Sequence, residues 1–197
     1  MRRPRDAYAT PAWQAWALLA NQPDLGGLIL EPCVGAGALA RVLMAGCPGR
    51  VLTNDVDPGY HARYGYDATN PRLYDQIEQD EGRAVDWIVT NPPYRMPVCR
   101  DLVALAIERA RIGVAMLLRL SFLEPTARRF PRGVLLTAHP PSRLLVLPRN
   151  SYLENGHSDV VTTAWFLWCR PEAVAGLPPI QSLHLAHRTP ARPVVAA

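Results

Sequence analysis

Short apolar runs alternate with longer segments of helical character along this chain. The runs are rich in Val, Ile and Leu and predict buried strands at 28–30, 51–53, 85–90, 114–118, 144–147 and 160–169. The segments between them predict helices at 11–20, 38–45, 71–79 and 102–111, with Thr10 as N-cap of the first helix and Pro11 at its first helical position. A short extended piece is expected around Tyr66. This alternation predicts an α/β fold, a mostly parallel sheet with helices on both faces.

Polar side chains stand where the predicted strands end. Glu31, Asp55 and Asn91 each follow an apolar run, and Asp67 follows the extended piece around Tyr66. In parallel α/β sheets, ligands bind outside the carboxyl ends of the strands. The residues with candidate chemical roles are therefore expected to lie together at one edge of the predicted sheet.

Composition adds a size limit and a charge preference to this picture. A chain of 197 residues that is 49% hydrophobic can form one domain with a stable core, which we assign to residues 1–170. Residues 171–197 are rich in Pro and Ala and are expected to form a C-terminal tail. The net charge is +4 and all 21 basic residues are Arg. The guanidinium group suits phosphate, although a GC-rich genome would produce the same bias.

Membrane and metal-binding classes are disfavoured by the sequence. No apolar run approaches the roughly 20 residues that span a bilayer, and the basic N-terminus is not followed by the apolar stretch of a secretory signal. A cytoplasmic protein with no membrane partner is therefore expected. The four cysteines are widely spaced and form no C-x-x-C pair, so neither a metal site nor a disulfide framework is predicted.

A glycine loop follows the first predicted strand. Gly35 and Gly37 fit the pattern G-x-G-x-x-[GA] between a strand and a helix, and Asp55 follows about 20 residues later, where a ribose-binding acid belongs. A nicotinamide dinucleotide or S-adenosylmethionine would suit such a loop. Glu31 at the strand end would repel a diphosphate but attract the ammonium and sulfonium groups of S-adenosylmethionine, which is therefore the predicted cofactor. A capping role for Glu31 on the next helix remains the alternative.

The motif Asn91-Pro92-Pro93-Tyr94 follows the third predicted strand. Two prolines fix the backbone, so the Pro92 carbonyl is expected to stay outside any ladder or helix. Together with the Asn91 side-chain oxygen it offers two acceptors, which suit a planar NH₂ group. Tyr94 adds an aromatic face on which a flat base could stack. An ordinary Asn-Pro-Pro turn is the alternative interpretation.

With these motifs in order, the chain resembles the class I S-adenosylmethionine-dependent amino-methyltransferases, in particular the DNA adenine methyltransferases with an Asn-Pro-Pro-Tyr motif. The resemblance covers roughly the first two thirds of the chain and implies a Rossmann-like fold with a seven-stranded sheet. It implies a catalytic role for Asn91, Pro92, Pro93 and Tyr94. It also implies cofactor contacts by Tyr8, Thr10 and Pro11 at the methionine end, Glu31, Pro32, Gly35 and Gly37 in the loop, Asp55 at the ribose, Val56 and Asp67 at the adenine, and Asn91.

The implied activity is direct transfer of a methyl group to the exocyclic amine of adenine, flipped out of DNA, without a covalent intermediate. RNA and protein glutamine remain alternative acceptors, since each presents a planar NH₂; the protein acceptor is less supported because only a short segment precedes the first predicted strand. A non-catalytic nucleic-acid-binding subunit is a further alternative.

Once the residues of the catalytic sheet are accounted for, little of the chain remains that could recognise a target sequence. Candidate segments for nucleic-acid contact are 119–132, with Arg128, Arg129 and Arg132, and 148–159, with Arg149, Asn150, Tyr152, Asn155 and His157. Recognition is expected from these loops, from a second copy of the chain, or hardly at all. Both a monomer and a homodimer are therefore compatible with the sequence.

Overall fold

Seven strands form one sheet in the structure, a computed structural model that describes residues 9–124, 131–149 and 161–183. The strands, numbered β1 to β7 along the chain, are Gly27–Glu31, Gly49–Thr53, Trp87–Thr90, Gly113–Arg119, Arg143–Val146, Thr163–Cys169 and Ile180–Ser182. Their order across the sheet is β2-β1-β3-β4-β6-β5-β7. All neighbours are parallel except β6, which runs antiparallel to β4 and β5. The predicted α/β class is confirmed.

The helices pack on both faces of this sheet, as predicted. They are α1 to α5, Ala12–Asn21, Ala38–Gly46, Pro71–Glu81, Met96–Arg109 and Pro131–Ala138, with 3₁₀ turns at Leu120–Leu123 and Pro171–Val174. α1 and α2 share one hydrophobic cluster with side chains such as Ile29 and Leu117, while α3, α4 and α5 share another with Leu30 and Leu118. The side chains of β1 and β4 thus alternate between two buried clusters, as expected for a sheet covered twice.

The chain reverses its direction of travel across the sheet at β1. From β1 it crosses to β2 on one side, and later strands continue with β3 on the other. In open α/β sheets this reversal opens a crevice at the carboxyl ends of the two diverging strands. Here that crevice lies beyond Glu31 and Thr90, beside the segments predicted to carry the chemistry.

All six strands predicted from apolar runs are present, but several boundaries differ. Pro11 is the N-cap of α1 and not its first helical residue, because its ψ of 135° is extended; Thr10 makes no capping hydrogen bond. The fourth helix begins at Met96, ahead of the predicted residue 102, because Pro97 is tolerated in a first helical turn. The extended piece around Tyr66 amounts to one bridge between Asn54 and Tyr64.

The sheet continues into the segment expected to be a tail. β7 pairs in parallel with β5, and Ala173 and Leu183 are buried in the core. Composition does not reveal this strand because it is only three residues long and directly follows two prolines. α5 was also not predicted. Across the described ranges, every helix is too short or too polar to cross a membrane.

Candidate active site

A cleft of about 1040 Å³ opens at the carboxyl ends of β1, β2 and β3. The loops after these strands and the residues before α1 line it. Among the predicted site residues, the lining includes Thr10, Glu31, Pro32, Gly35, Asp55, Val56, Asp67, Asn91 and Pro93. Pro11, Gly37, Pro92 and Tyr94 stand directly beside lining residues in the chain, and Tyr8 lies outside the described residues. The structure thus brings side chains from four separate segments to one place.

The glycine loop turns from β1 into α2 through two left-handed residues. Gly35 has φ +50° and Gly37, the N-cap of α2, has φ +76°. A Cβ added to Gly35 would meet no protein atom within 4 Å, yet Gly35 lines the cleft. The open space beside Gly35 is therefore space that a ligand could use, and the backbone there requires glycine for its conformation as well.

Asp55 fastens this loop to the end of β2. Its Oδ2 accepts the backbone N–H of Gly35 at 2.8 Å, and its Oδ1 accepts the N–H of Asp57 at 2.9 Å. A carboxylate has about four acceptor positions, so two remain for further donors such as ribose hydroxyls. The side chain is half-buried and lines the cleft. Its placement suits the predicted contact, which stays a prediction.

Glu31 is a carboxylate with a missing partner. It is only 2% exposed, and its Oε2 has no hydrogen-bond partner. Burial raises its pKa well above the ordinary value, a shift that the backbone N–H of Ala40 opposes and nearby Asp55 increases. Ala40 lies in the first turn of α2, so a capping role for Glu31 stays the alternative interpretation. The unpartnered oxygen in the cleft wall is a place for a ligand cation as well.

Asn54 is the positioning residue that the sequence interpretation missed. It is fully buried, and its Nδ2 donates to the Pro32 and Tyr66 carbonyls, each at 2.9 Å. Its Oδ1 accepts the Tyr66 N–H at 2.9 Å. One amide thus joins the loops that follow β1, β2 and the Tyr64 bridge. The signal that could have revealed it is an Asn directly after a buried strand, where an unsatisfied amide would be costly.

Val56 and Asp67 lie further along the cleft. Val56 is 64% exposed, unusual for an apolar side chain, and lines the cleft, as expected of a residue that packs against a ligand. Asp67 accepts from the Thr69 N–H and hydroxyl, both through Oδ1. None of the described residues donates to its Oδ2, which leaves that atom as an acceptor.

The Asn-Pro-Pro-Tyr motif forms the loop between β3 and α4. The Tyr94 hydroxyl donates to the Asn91 Oδ1 at 3.0 Å. Pro92 is buried, and within the described ranges no backbone N–H donates to its carbonyl. The two predicted acceptors are adjacent in the chain after β3; Asn91 lines the cleft and contacts Tyr94, while Pro92 is not among the lining residues.

One face of the Tyr94 ring is covered. The Arg119 guanidinium lies 5.0 Å from the ring centroid, within cation–π distance. The sequence predicts an aromatic face on which a flat base could stack; the structure shows a cation over one face of this ring, and stacking of a base stays a prediction.

The segments predicted to contact nucleic acid are only partly described. Arg132 is engaged within the protein, since it donates to the carbonyls of Ser121 and Glu124. Arg128, Arg129, Asn150, Tyr152, Asn155 and His157 lie outside the described residues. Arg95, which the sequence interpretation passed over, is exposed and lines the cleft next to the motif.

Metal and thiol chemistry find little support in this cleft. Within the described part of the chain no group of three His, Cys, Asp or Glu side chains could hold a metal ion. Cys33 lines the cleft, but burial strongly raises its pKa. A protonated thiol is a poor nucleophile, so its environment does not activate Cys33.

Comparison with known proteins finds a match in structure alone. No protein-family model and no curated protein matches this sequence. A protein from Pyrococcus horikoshii designated an RNA methyltransferase is 16% identical with a TM-score of 0.58, over 86% of this chain and 90% of its own. The fold is that of class I S-adenosylmethionine-dependent methyltransferases.

Two further solved structures show the range of proteins on this fold. An O-methyltransferase from Bacillus cereus, solved with S-adenosylhomocysteine (SAH), is 16% identical with a TM-score of 0.56, over 86% of this chain and 84% of its own. The methyltransferase subunit of a type I restriction-modification system from Streptococcus thermophilus is 13% identical with a TM-score of 0.57, over 83% of this chain. This chain spans 45% of that subunit. At these identities the comparison establishes the fold, and the substrate has to be inferred from the residues of the site.

Proposed function

We propose that this chain is an S-adenosylmethionine-dependent methyltransferase that methylates the exocyclic amine of adenine in DNA. The observation that carries the proposal is that one cleft is lined both by Glu31, whose Oε2 is buried without a partner, and by Asn91, whose Oδ1 accepts from Tyr94 and which directly precedes Pro92 in the chain. The Glu31 oxygen suits a cationic methyl donor. The oxygens at Asn91 and Pro92 suit a methyl acceptor that presents a planar NH₂ group.

The residues of the cleft fit the methyl donor. Glu31 would face its cationic methionine end, Asp55 has acceptor positions left for the ribose, and Val56 offers an exposed apolar surface to the adenine. Four acidic side chains line the cleft, at Glu31, Asp55, Asp57 and Asp67. Such a lining repels a dinucleotide's diphosphate and attracts a sulfonium, which supports S-adenosylmethionine over a nicotinamide cofactor. When bound, the donor supplies an already activated methyl group.

The motif's acceptors would act on the amine. An exocyclic amine of adenine is a poor nucleophile because its lone pair is delocalised into the ring. Hydrogen bonds from its two N–H groups to Asn91 Oδ1 and the Pro92 carbonyl draw the nitrogen toward tetrahedral geometry. As positive charge develops on nitrogen, both oxygens stabilise it more than they stabilise the ground state. The reaction is a direct in-line transfer in which the protein orients both partners and excludes water.

The basic side chains beside the motif favour nucleic acid over protein as the substrate. Arg95 and Arg119 pair with no carboxylate among the described residues, and both stand next to Tyr94 in sequence or space. The exposed Arg95 guanidinium suits a phosphate group beside an extruded base, and Arg119 adds positive charge near it. RNA is the second candidate, since the neighbour designated an RNA methyltransferase matches nearly its whole length to this chain.

Incubation with radiolabelled methyl donor and DNA, RNA or a protein extract tests the substrate class. We expect label in DNA, dependent on Asn91. Label confined to RNA would replace the DNA proposal with the second candidate, and label confined to protein would overturn both. Calorimetric titration with the donor and, separately, with NAD tests the cofactor; binding of NAD but not of the donor would contradict the proposed activity.

A further inference from the structure

We infer that Arg119 is a positioning residue for the acceptor site, acting on Asn91 through Tyr94. This inference rests on the proposed function for its catalytic consequence, but its structural content stands on two contacts. The Arg119 guanidinium lies 5.0 Å from the centroid of the Tyr94 ring, and the Tyr94 hydroxyl donates to Asn91 Oδ1 at 3.0 Å. Together these contacts connect three side chains, from Arg119 on the sheet through Tyr94 to the predicted catalytic amide of Asn91.

Arg119, the first of these three residues, is held by an inner strand of the sheet. Arg119 is the last residue of β4 and pairs with Thr163 of β6, and the next N–H, of Leu120, donates to the Thr162 carbonyl at 3.0 Å. β3 ends at Thr90, opposite Met116, so β4 extends three residues further. At about 3.3 Å per residue this brings Arg119 level with the loop that follows β3. The side chain is half-buried, which limits its freedom to leave the ring.

The second contact decides which way the Asn91 amide points. An asparagine side chain carries a carbonyl oxygen and an NH₂ group of almost equal size, and a rotation of the amide exchanges them. A hydroxyl donor in a fixed place favours the orientation that presents Oδ1. An amide oxygen has two lone pairs, of which the hydroxyl occupies one. With the amide reversed, an NH₂ group would face the amine and repel it.

The arrangement gives Arg119 a role distinct from contact with substrate phosphate. By covering one face of Tyr94, it fixes the plane of the ring and with it the position of the hydroxyl. The cation–π geometry asks only for a positive charge over the ring, so lysine should preserve part of the effect while an apolar residue should not.

Amide NMR tests the structural content without any substrate. The side-chain NH₂ signals of Asn91 are assigned by their absence in Asn91→Ser. We expect Tyr94→Phe and Arg119→Leu to shift them in the same direction, Arg119→Lys to shift them less, and Arg170→Leu to leave them in place. Arg170 is the matched control because it is exposed and follows Cys169, which pairs with the opposite end of β4. Unchanged Asn91 signals in Arg119→Leu would overturn the inference.

Kinetics test the functional content. We expect kcat to fall about tenfold in Tyr94→Phe and severalfold in Arg119→Leu, with the double variant no slower than Tyr94→Phe alone and KM for the donor unchanged. Additive losses, or a salt-dependent rise in KM for the nucleic acid, would show that Arg119 binds substrate directly and would overturn the positioning role. If wild-type protein methylates no nucleic acid, the proposed function fails while the NMR result still decides the inference.

Discussion

At the scale of single residues, the site depends on polar atoms whose partners are incomplete. Glu31 was predicted from its charge at a strand end, and the structure adds that one of its oxygens is buried without a partner. The role of the Asn91 oxygen was likewise predicted, but the hydroxyl that orients it was not. Charge and spacing are visible in a sequence. Hydrogen bonds between residues of one turn depend on side-chain rotamers, and rotamers cannot be read from a sequence.

The buried carboxylate should make free protein less stable while it favours cofactor binding. Burial raises the pKa of Glu31 in the folded state. Below the ordinary glutamate pKa the side chain is protonated in both the folded and the unfolded protein and costs no stability. As pH rises through the raised pKa, ionisation of the buried carboxyl lowers the free energy of unfolding. Glu31→Gln should therefore raise the melting temperature of the free protein at neutral pH, with the difference vanishing in mild acid, and weaken donor binding about tenfold.

Thermal unfolding between acid and neutral pH and calorimetry with the donor check this pair of effects. Glu78→Gln, which replaces an exposed carboxylate on α3, is the matched control and should change neither quantity. Donor affinity equal to wild type in Glu31→Gln would show that the unpartnered oxygen does not meet the cofactor.

Asn91 and Asp55 should separate turnover from cofactor affinity. Asn91→Ala removes an acceptor for the amine, so kcat should fall about 10²- to 10³-fold while donor binding persists. Asp55→Ala removes the partner of the Gly35 and Asp57 amides and should weaken donor binding first. Calorimetry and single-turnover rates on both variants measure the division; equal losses of donor affinity would reject it.

At the scale of elements, the sequence predicted regular structure well and the connections poorly. Six strands were visible because apolar runs must fill two buried clusters. β7 is three residues long and follows two prolines, and α4 begins six residues earlier than predicted because a proline fits a first turn. The loops around the cleft are held by single polar side chains, Asn54 above all. Periodicity carries no information about such contacts, so their geometry had to come from the structure.

Asn54→Leu should loosen three loops at once. The change removes three side-chain hydrogen bonds and leaves the buried carbonyl at Pro32 and the partly buried one at Tyr66 without this donor. We expect a loss of about 2 to 4 kcal/mol in the free energy of unfolding and weaker donor binding. Urea unfolding of the variant beside Asn70→Leu, whose exposed side chain only caps α3 through the Arg72 N–H, provides the comparison. Similar losses in the two variants would refute the special role of Asn54.

A buried arginine fixes the far edge of the sheet. Arg143 on β5 is 2% exposed and donates to the Asn21 and Pro178 carbonyls and to the side chains of Gln22 and Gln181. Arg143→Met keeps most of the side-chain volume but leaves these acceptors without a hydrogen-bond donor. It should cost about 2 to 4 kcal/mol of unfolding free energy and expose residues 171–183 to proteolysis. A variant as stable and as protease-resistant as wild type would show that β7 is held by packing alone.

At the scale of the whole molecule, charge is divided across the cleft. Acidic side chains surround the half formed by the loops after β1 and β2, whereas Arg95 and Arg119 stand by the motif after β3. The net charge of +4 could not reveal this division, because it sums both halves. A cationic donor and a polyanionic acceptor would each meet the opposite sign. Fold class and the approximate place of the site were accessible from sequence, but this charge arrangement was not.

Arg95→Gln should weaken nucleic-acid binding without affecting the donor. Removing one guanidinium–phosphate pair lowers the number of released counterions by about one, so the slope of log affinity against log salt should fall by about 1. Arg170→Gln, at the opposite edge of the sheet, should leave the slope unchanged. Fluorescence anisotropy with labelled DNA across a salt series measures both. An unchanged slope in Arg95→Gln would place the nucleic acid elsewhere.

The chemical position of the transferred methyl group tests the account most directly. Wild-type protein and Asn91→Ala are each incubated with isotopically labelled donor and DNA, and the DNA is digested to nucleosides for mass spectrometry. The account predicts labelled N6-methyldeoxyadenosine from wild-type protein and almost none from Asn91→Ala, although that variant still binds the donor. Label on a ring atom, or full activity in Asn91→Ala, would contradict it.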